Sequence, residues 1–313
     1  MRATRAPSVH NTQPWRFGLS GHTLDIHADW SRQLQVLDPR GRQLLLSCGC
    51  ALMNARTALA GAGFAAKVER FPDASKPDLV ARVVADATLG VDDDLLAQLD
   101  QAIEVRQTNR RQFSDETVPD EVVDRLLDAA TMEGAEITIV TSPDHRLAVA
   151  RLSQQADQIE NADPAYRAEL RAWTSDDPCR TDGVPTFAIP HVDGRAEDDL
   201  PVRDFDTRGG GELPALTRSS LNQCLVLIGA MDNDQHAWLR SGEALERVLL
   251  EIARQGYTAS PLTQVIEVTR TNVLLRHELG LAMHPHVLLR VGRAPATPGT
   301  RRRRLVDVIT EAD

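Results

Sequence analysis

The chain has 313 residues, 42% of them hydrophobic, which is long enough for one large or two ordinary domains with a substantial core. Its formal net charge of −10 argues against a nucleic-acid-binding protein and against one that docks on anionic membranes. We found no signal peptide and no apolar run of about 18 residues, so the sequence predicts a cytoplasmic protein that does not span a membrane.

The four cysteines are predicted to be reduced and mostly buried. Cys48 and Cys50 lie two residues apart in a helical pattern, where their side chains point to different faces. No Cys or His spacing matches a structural zinc site, and the pair His284 and His286 lacks further ligands nearby in the sequence. We therefore predict no metal centre.

The segment from Arg5 to Phe17 is rich in short polar side chains and is stiffened by Pro7 and Pro14. Each proline fixes its own φ and biases the preceding residue towards extended backbone. The pattern is typical of a structural loop that enters a strand. The density of hydroxyl and amide groups leaves a small-molecule contact open as the alternative.

Hydrophobic periodicity predicts the regular elements that follow. Helices predicted to end at Gly63 and Gly256 have the glycine that commonly follows a last helical turn. The predicted elements are a strand at 23–28, a helix at 43–62, a strand at 79–85, helices at 92–105 and 120–130, strands at 137–140 and 223–231, a helix at 238–252, a strand at 285–291 and a final apolar segment at 305–309.

The region from about 152 to 214 has a different character, since it is acidic and contains six prolines and the run Gly209-Gly210-Gly211. We predict one helix at about 165–173 and otherwise loop. A loop of this length in a compact protein is commonly a functional cover or a disordered segment. No Gly-Lys-Ser/Thr follows the glycines, so a P-loop is not predicted.

Two parts of the chain resemble each other. Residues 46–52 match residues 239–245 at Leu, Gly, Ala and Leu, with an offset of 193, and residues 77–83 match 285–291 at Pro, Arg and Val, with an offset of 208. Two matches in the same order indicate a duplicated unit. A duplicated unit packed on itself can mimic a homodimer.

With the repeat in view, two motifs resemble hallmarks of the FMN-dependent nitroreductase family, in the fused two-repeat form of the Acg-type group. The first is the opening pattern Pro7-Ser8-x-x-Asn11-x-Gln13-Pro14-Trp15-x-Phe17. The second is Arg106-x-Thr108-x-Arg110-x-x-Phe113, similar to the helix start with which the family binds the flavin phosphate. The resemblance spans essentially the whole chain, although few residues precede Arg5.

The resemblance implies an α+β fold with three α/β/α layers, built as a tandem pseudo-dimer of nitroreductase-like repeats, each a mixed sheet flanked by helices. The first repeat would span 1–104 and the second 105–313, with a lid-like insertion at about 152–214. The family binds FMN across the subunit interface, and this chain has one complete set of motifs. We therefore expect a monomeric pseudo-dimer with one FMN.

The residues implied for FMN binding fall into three groups. Pro7, Ser8 and Asn11 would meet the isoalloxazine, and 261–263 would lie over the ring near N5. Arg106, Gln107, Thr108, Arg110 and two of the 301–304 arginines would bind the phosphate and ribityl chain. The full set is Pro7, Ser8, Asn11, Arg106, Gln107, Thr108, Arg110, Pro261, Leu262, Thr263, Arg301, Arg302, Arg303 and Arg304.

The implied activity is hydride transfer from NAD(P)H through the flavin to a nitro or quinone-type acceptor. The cofactor carries that chemistry, so no catalytic side chain is predicted. The rival hypothesis is an FMN-sequestering or redox-sensing protein whose insertion closes the site. A degenerate homologue that no longer binds flavin is the third, and the alternative for the 301–304 arginines is an exposed basic tail. Ser8 and His10 lack an orienting acid, which argues against a hydrolase.

Overall fold

The computed structural model describes residues 2–88, 94–191, 200–207, 209–214 and 223–311. Short 3-10 turns lie at Arg2–Arg5, Val9–Asn11, Trp30–Arg32 and Thr186–Ala188. The strands and helices are β1 (Trp15–Ser20), β2 (Thr23–Ala28), α1 (Arg42–Gly61), β3 (Ala65–Arg70), β4 (Leu79–Asp86), α2 (Asp94–Gln98), α3 (Ala102–Val105), α4 (Asp120–Met132), β5 (Glu136–Ile139), α5 (Pro143–Ala162), α6 (Pro164–Ala172), β6 (Cys224–Ala230), α7 (Gln235–Arg254), β7 (Thr258–Pro261), α8 (Gln264–Glu267), α9 (Thr269–Glu278), β8 (His284–Gly292), α10 (Leu305–Val308) and β9 (Ile309–Glu311).

The described strands form two sheets with the same internal order. The first runs β3-β4-β2-β1-β9 and the second runs β7-β8-β6-β5 when written in the same direction. Each four-strand unit is antiparallel, and β9 adds a parallel strand to the outer edge of the first sheet. The α+β fold and the duplication inferred from the sequence are therefore confirmed.

Strand pairing corrects the register of the second sequence match. Ala65 pairs with Asp86 in the first sheet, and Thr258 pairs with Gly292 in the second. Helix α7 and strand β7 keep the offset of 193 from α1 and β3, so Thr258 is the counterpart of Ala65. Their pairing partners Asp86 and Gly292 are therefore also counterparts, and they differ by 206 residues. The predicted offset of 208 was wrong by two residues. The sequence concealed the error because a two-residue slip keeps every side chain on the same face.

The helices α1 and α7 cross at the centre of the molecule, and glycine permits their close contact. A Cβ at Gly49 would lie 2.1 Å from the carbonyl oxygen of Leu239, and one at Gly242 would lie 2.1 Å from that of Leu46. The backbones of the two helices therefore touch where the sequence repeat is clearest. Gly63 and Gly256 follow the two helices with φ of +83° and +75°, as predicted for helix-terminating glycines.

The two sheets differ in how their faces are covered. The second sheet lies between α4 and α7 on one face and α5, α8 and α9 on the other, and both faces are apolar. The first sheet packs α1 on one face. Its other face carries polar side chains, among them Arg16, Asp25, His27 and Arg82. The three-layer arrangement is thus complete around the second sheet.

The described part of the 152–214 region contains more helix than the sequence suggested. The predicted short helix is α6, but residues 152–162, expected to be loop, form the last part of α5. Val149, Leu152 and Ala156 of that helix are fully buried, so packing against α8 and α9 stabilises it. The glycine run lies within the described residues, and Gly209 has a φ of +74°.

Helix α1 is long and apolar enough to cross a membrane by length and composition. Most of it is buried in the structure, where it packs along α7 and under the first sheet. That environment is the one expected of a core helix. All four cysteines are free thiols, with Cys179 exposed and the other three buried.

Candidate functional site

Two adjoining cavities lie where the two halves of the chain meet. The less polar one, here the inner cavity, lies between α1, α7, the second sheet and the N-terminal loop, and the residues lining it are Pro7, Ser8, Val9, His10, Gln43, Leu46, Ser47, Cys50, Arg106, Gln107, Thr108, Arg110, Val202, Arg203, Phe205, Leu245, Leu249, Ala259, Pro261, Thr263, Gln264, Val287 and Leu289. The second, here the arginine cavity, is lined by Arg5, Pro7, Ser8, Asn11, Ile103, Glu104, Arg106, Gln107, Thr108, Arg110, Val184, Ala188, Pro298, Gly299, Thr300 and Arg302. Six residues line both, so the cavities form one continuous site.

The N-terminal loop enters this site in a strained conformation. His10, Asn11 and Gln13 have φ of +48°, +54° and +50°, in the left-handed region that non-glycine residues rarely adopt. The backbone N–H of Gln13 donates to the Ser8 hydroxyl at 2.9 Å, which closes the turn. The prediction of a stiff polar turn before a strand is confirmed, and β1 begins at Trp15.

Pro7 and Ser8 line both cavities, whereas Asn11 lines the arginine cavity and is already engaged by protein groups. Its amide donates to the carbonyl oxygens of Gly183 at 2.9 Å and Arg301 at 3.1 Å. Its own oxygen accepts a hydrogen bond from Arg302 at 3.1 Å. In this structure Asn11 therefore ties the insertion and the C-terminal segment to the loop.

The segment from Arg106 follows the end of α3 and runs beside β7 as irregular backbone. Thr108 forms a parallel bridge with Ala259, and the N–H of Asn109 donates to the carbonyl of Ala259 at 3.0 Å. The expected helix start is thus absent at this motif. The side chains of Arg106, Gln107, Thr108 and Arg110 nevertheless line both cavities.

Arg106 and Arg110 differ in their counter-charges. Arg106 donates to the carbonyl of Arg5 and lies 3.3 Å from the carboxylate of Glu246. Burial raises the pKa of Glu246 to about 7, and Arg106 opposes that rise. Arg110 donates weakly to the Ala188 carbonyl at 3.4 Å and forms no ion pair with a described carboxylate. Burial, and then the charge of Arg203, lower the pKa of Arg110 to about 10.

One of the four C-terminal arginines lies at the site. Arg302 lines the arginine cavity, and burial, together with the charges of Arg106 and Arg5, lowers its pKa to about 9. Arg301 instead donates to the carbonyl of Pro178, and Arg303 to that of Gln13. Arg304 forms a bidentate pair with Asp307 on the surface. That two of the four contact a phosphate stays a prediction, and the structure places Arg302 against the arginine cavity.

The segment after β7 contributes two of its three predicted residues. Pro261 and Thr263 line the inner cavity. Leu262 is buried in the hydrophobic cluster between the second sheet and α5, and its N–H donates to the carbonyl of Leu288 at 2.9 Å. Its side chain therefore faces away from the site.

Residues 202–205 of the insertion, here called the strap, lie at the inner cavity, although no residue of the insertion was predicted as a site residue. Val202, Arg203 and Phe205 line the inner cavity. Arg203 forms ion pairs with Glu267 and, at 3.4 Å, with Glu160, and these charges raise its pKa further above the usual arginine value despite its burial. A Val-Arg-x-Phe pattern within an acidic, proline-rich region was the signal available for these contacts.

The comparisons with known proteins concern the chain as a whole. No family model matches the chain. A Mycobacterium tuberculosis H37Rv protein provisionally named NAD(P)H nitroreductase Rv3131 is 34% identical over 312 residues, which is 98% of this chain and 88% of the relative. The chain belongs to the NAD(P)H nitroreductase family. The relative provisionally named NAD(P)H nitroreductase Acg, from the same strain, is 32% identical over 98% of this chain and 92% of its own length.

Solved structures of the family are more distant. A nitroreductase with bound FMN from Desulfitobacterium hafniense is 12% identical, with a TM-score of 0.44, and the match covers 69% of this chain and 98% of that one. A putative NADH dehydrogenase/NAD(P)H nitroreductase from Parabacteroides distasonis is 18% identical, with a TM-score of 0.40, over 69% of this chain and 98% of its own. At these values neither structure informs the site.

The positions related to the inner cavity by the internal repeat form an ion-pair cluster. With the offset of 193, Glu243, Arg56 and Arg70 are the counterparts of the cavity residues Cys50, Leu249 and Thr263. Arg56 and Arg70 lie 2.8 and 2.6 Å from the Glu243 carboxylate, which is almost fully buried. In this member of the family, charged side chains therefore pair with one another at the positions whose counterparts in the inner cavity are small or apolar.

Proposed function

We propose that this chain binds one FMN across the inner and arginine cavities and acts as an NAD(P)H-dependent oxidoreductase. The observation that carries the proposal is the pair of partly buried arginines Arg110 and Arg302, which both line the arginine cavity and neither of which is ion-paired to a described carboxylate. Arginine at low solvent exposure without a counter-charge is the arrangement expected for phosphate recognition.

The other residues present suit the remaining parts of the cofactor. We propose that Arg106, Gln107 and Thr108 complete the phosphate and ribityl contacts, since they lie between the two cavities. Pro7 and Ser8 would lie at one side of the isoalloxazine, and Pro261 and Thr263 at the other. Asn11 is proposed to position the phosphate end through Arg302 rather than to meet the ring.

When bound, FMN would supply the hydride chemistry, accepting a hydride from NAD(P)H and passing it to a nitro or quinone-type acceptor. The protein would bind and orient the cofactor and exclude water, with Leu245 and Leu249 on the apolar side of the cavity. The ion-paired counterpart cluster supports a single flavin per chain. We also propose the division into repeats at 1–104 and 105–313, a monomeric pseudo-dimer and a cytoplasmic location, which the free thiols support.

One purification tests the proposal. The protein is expected to be yellow and to release one FMN per chain on denaturation, whereas a colourless protein that cannot be reconstituted with FMN would refute it. Anaerobic mixing of the loaded protein with NADPH is then expected to bleach the flavin absorbance within seconds. Mixing with NADH under the same conditions identifies the preferred nicotinamide.

The strap favours a second candidate, an FMN-sequestering or redox-sensing protein. Phe205 and Arg203 line the cavity, and Arg203 is fixed by two buried carboxylates, which supports the proposal that the strap covers the site. A cover anchored in this way would exclude the nicotinamide. In the anaerobic experiment this candidate predicts that the oxidised flavin spectrum persists with both nicotinamides while dithionite still reduces the flavin.

A further inference from the structure

His10 is a buried histidine for which the described residues offer no hydrogen-bond partner. Its residue exposure is 5%, it lines the inner cavity, and neither Nδ1 nor Nε2 has a protein partner. Buried polar groups in native proteins are almost always paired, and each unpaired one costs about 1–3 kcal/mol. Two unpaired nitrogens on a side chain that lines a cavity indicate a partner that the cavity itself receives.

The backbone around His10 supports the same view. Three non-glycine residues of its loop, His10, Asn11 and Gln13, have positive φ, which persists only where surrounding contacts fix the chain. The Ser8 hydroxyl and the Asn11 amide supply those contacts. The loop therefore holds the imidazole at the cavity at a conformational cost, a pattern typical of functional positions.

The imidazole is surrounded by groups that disfavour its protonation. Burial is the main cause of its lowered pKa, and the positive charges of Arg203 and Arg110 lower it further. Its edge contacts the Phe205 ring of the strap, with centroids 5.2 Å apart. A neutral imidazole presents one N–H donor and one acceptor nitrogen.

A second unpaired donor lines the same cavity. The side-chain amide nitrogen of Gln43, on α1, is buried and has no partner among the described residues. His10 and Gln43 thus offer donors from two different elements to one largely apolar space. A planar ring that carries carbonyl oxygens matches this arrangement, because its faces are apolar and its edge accepts hydrogen bonds.

We propose that His10 donates its N–H to a carbonyl oxygen of the ring that occupies the inner cavity, with Gln43 as a second donor. The inference rests on the proposed function, because that ring is either the FMN isoalloxazine or a quinone-type electron acceptor. The two sources share the same carbonyl chemistry and are distinguished by experiment.

The first variant is His10→Phe, which keeps a planar ring against Phe205 and removes both nitrogens. Titration of flavin-free protein with FMN, without acceptor, is expected to give a dissociation constant about tenfold higher than that of the wild type, the effect of one lost hydrogen bond. The thermal midpoint of the flavin-free variant should be equal or higher, because two unpaired nitrogens are gone. A residue with a purely structural role would lower that midpoint.

Two further variants complete the set. His10→Asn retains a donor, and Asn tolerates positive φ, so it should recover part of the FMN affinity. His22→Phe is the control, since His22 is exposed in the turn between β1 and β2 and should leave binding unchanged. In protein labelled with ¹⁵N-histidine, the His10 ring signals should shift when FMN is added.

Each outcome bears on the proposal. Weaker FMN binding by His10→Phe supports it and identifies the ring as the flavin. Unchanged FMN binding with a raised KM for a benzoquinone supports it and identifies the ring as the acceptor. If both quantities match the wild type while the wild type binds FMN, this inference alone is overturned. If the wild type binds no FMN, the inference and the proposed function fail together.

Discussion

At the scale of single residues, Arg110 gives the sharpest test of the phosphate site. Its guanidinium lies 4.8 Å from the Phe205 ring centroid and has no ion pair with a described carboxylate. Arg110→Met keeps the aliphatic stem and removes the charge, so FMN affinity measured by fluorescence titration should fall by about 10- to 100-fold, the equivalent of one or two charge-assisted hydrogen bonds. Arg304→Met, which removes a surface pair with Asp307, should leave affinity unchanged. Equal losses in the two variants would remove Arg110 from the site.

A second residue-scale prediction concerns the pH dependence of stability. Burial raises the pKa of Glu246 from 4.5 to about 7. Between these values the folded protein keeps a proton that the unfolded chain has lost, so the free energy of unfolding should decrease as pH rises from 4.5 to 7 and level off above 7. Glu246→Gln should remove up to about 3 kcal/mol of that decrease in urea denaturation curves. An identical slope in the variant would contradict the assignment.

The sequence predicted the site unevenly at this scale. Two groups could be picked out from the sequence because each belongs to a local motif, namely Pro7-Ser8 and the segment from Arg106 to Arg110. Residues of both groups line both cavities. The sequence could not show which side chains of Arg301 to Arg304 point towards the site, because neighbouring side chains on extended backbone point to opposite sides. His10 was set aside for lack of an orienting acid, and its burial against the distant Phe205 is a tertiary property.

At the scale of elements, the crossing of α1 and α7 yields the third prediction. A Cβ at position 49 would lie 2.1 Å from the Leu239 carbonyl oxygen and 2.9 Å from the Glu243 nitrogen, both of them backbone atoms that cannot rotate away. Gly49→Ala should therefore lower the free energy of unfolding by about 3 kcal/mol or more, despite the better helix propensity of alanine. Gly18→Ala in β1 is the control, since its nearest contact would be 3.5 Å, and it should change stability little. Comparable stability of the two variants would show that the helices can separate at this point.

Element prediction from the sequence succeeded where periodicity was strong and failed in the insertion. Helices α1 and α7 and strands β2 and β4 were predicted to within a few residues, because their apolar periodicity is regular. Helix α5 was missed along its whole length, because its stability comes from packing on α8 and α9. Helix α9 and strands β3 and β7 were missed as well. The predicted helix at 92–105 is two short helices, α2 and α3.

At the scale of the whole molecule, the proposed site lies between the two halves of the duplicated fold. The arginine motif lies in the second half and the Pro-Ser loop in the first, so the site requires both. The C-terminal segment returns to the first half, where β9 pairs with β1 and carries Arg302 back towards the N-terminal loop. A fused chain needs no symmetry, and the counterpart of the site has become an ion-pair cluster.

That cluster provides the last prediction. Glu243 is almost fully buried and pairs with Arg56 and Arg70, so Glu243→Ala should lower the free energy of unfolding by about 3 kcal/mol, because Arg70 loses this ion pair and Arg56 keeps only its pair with Glu133. A double-mutant cycle with Arg70→Ala should give a coupling of about 1–3 kcal/mol in denaturant unfolding. Glu69→Ala removes an exposed pair with Lys67 on β3, the strand that also carries Arg70. This variant should lower the free energy of unfolding by less than about 1 kcal/mol. All these variants should still contain one FMN per chain. A second equivalent of FMN in Glu243→Ala would contradict the view that a flavin site requires the arginine motif from Arg106 to Arg110.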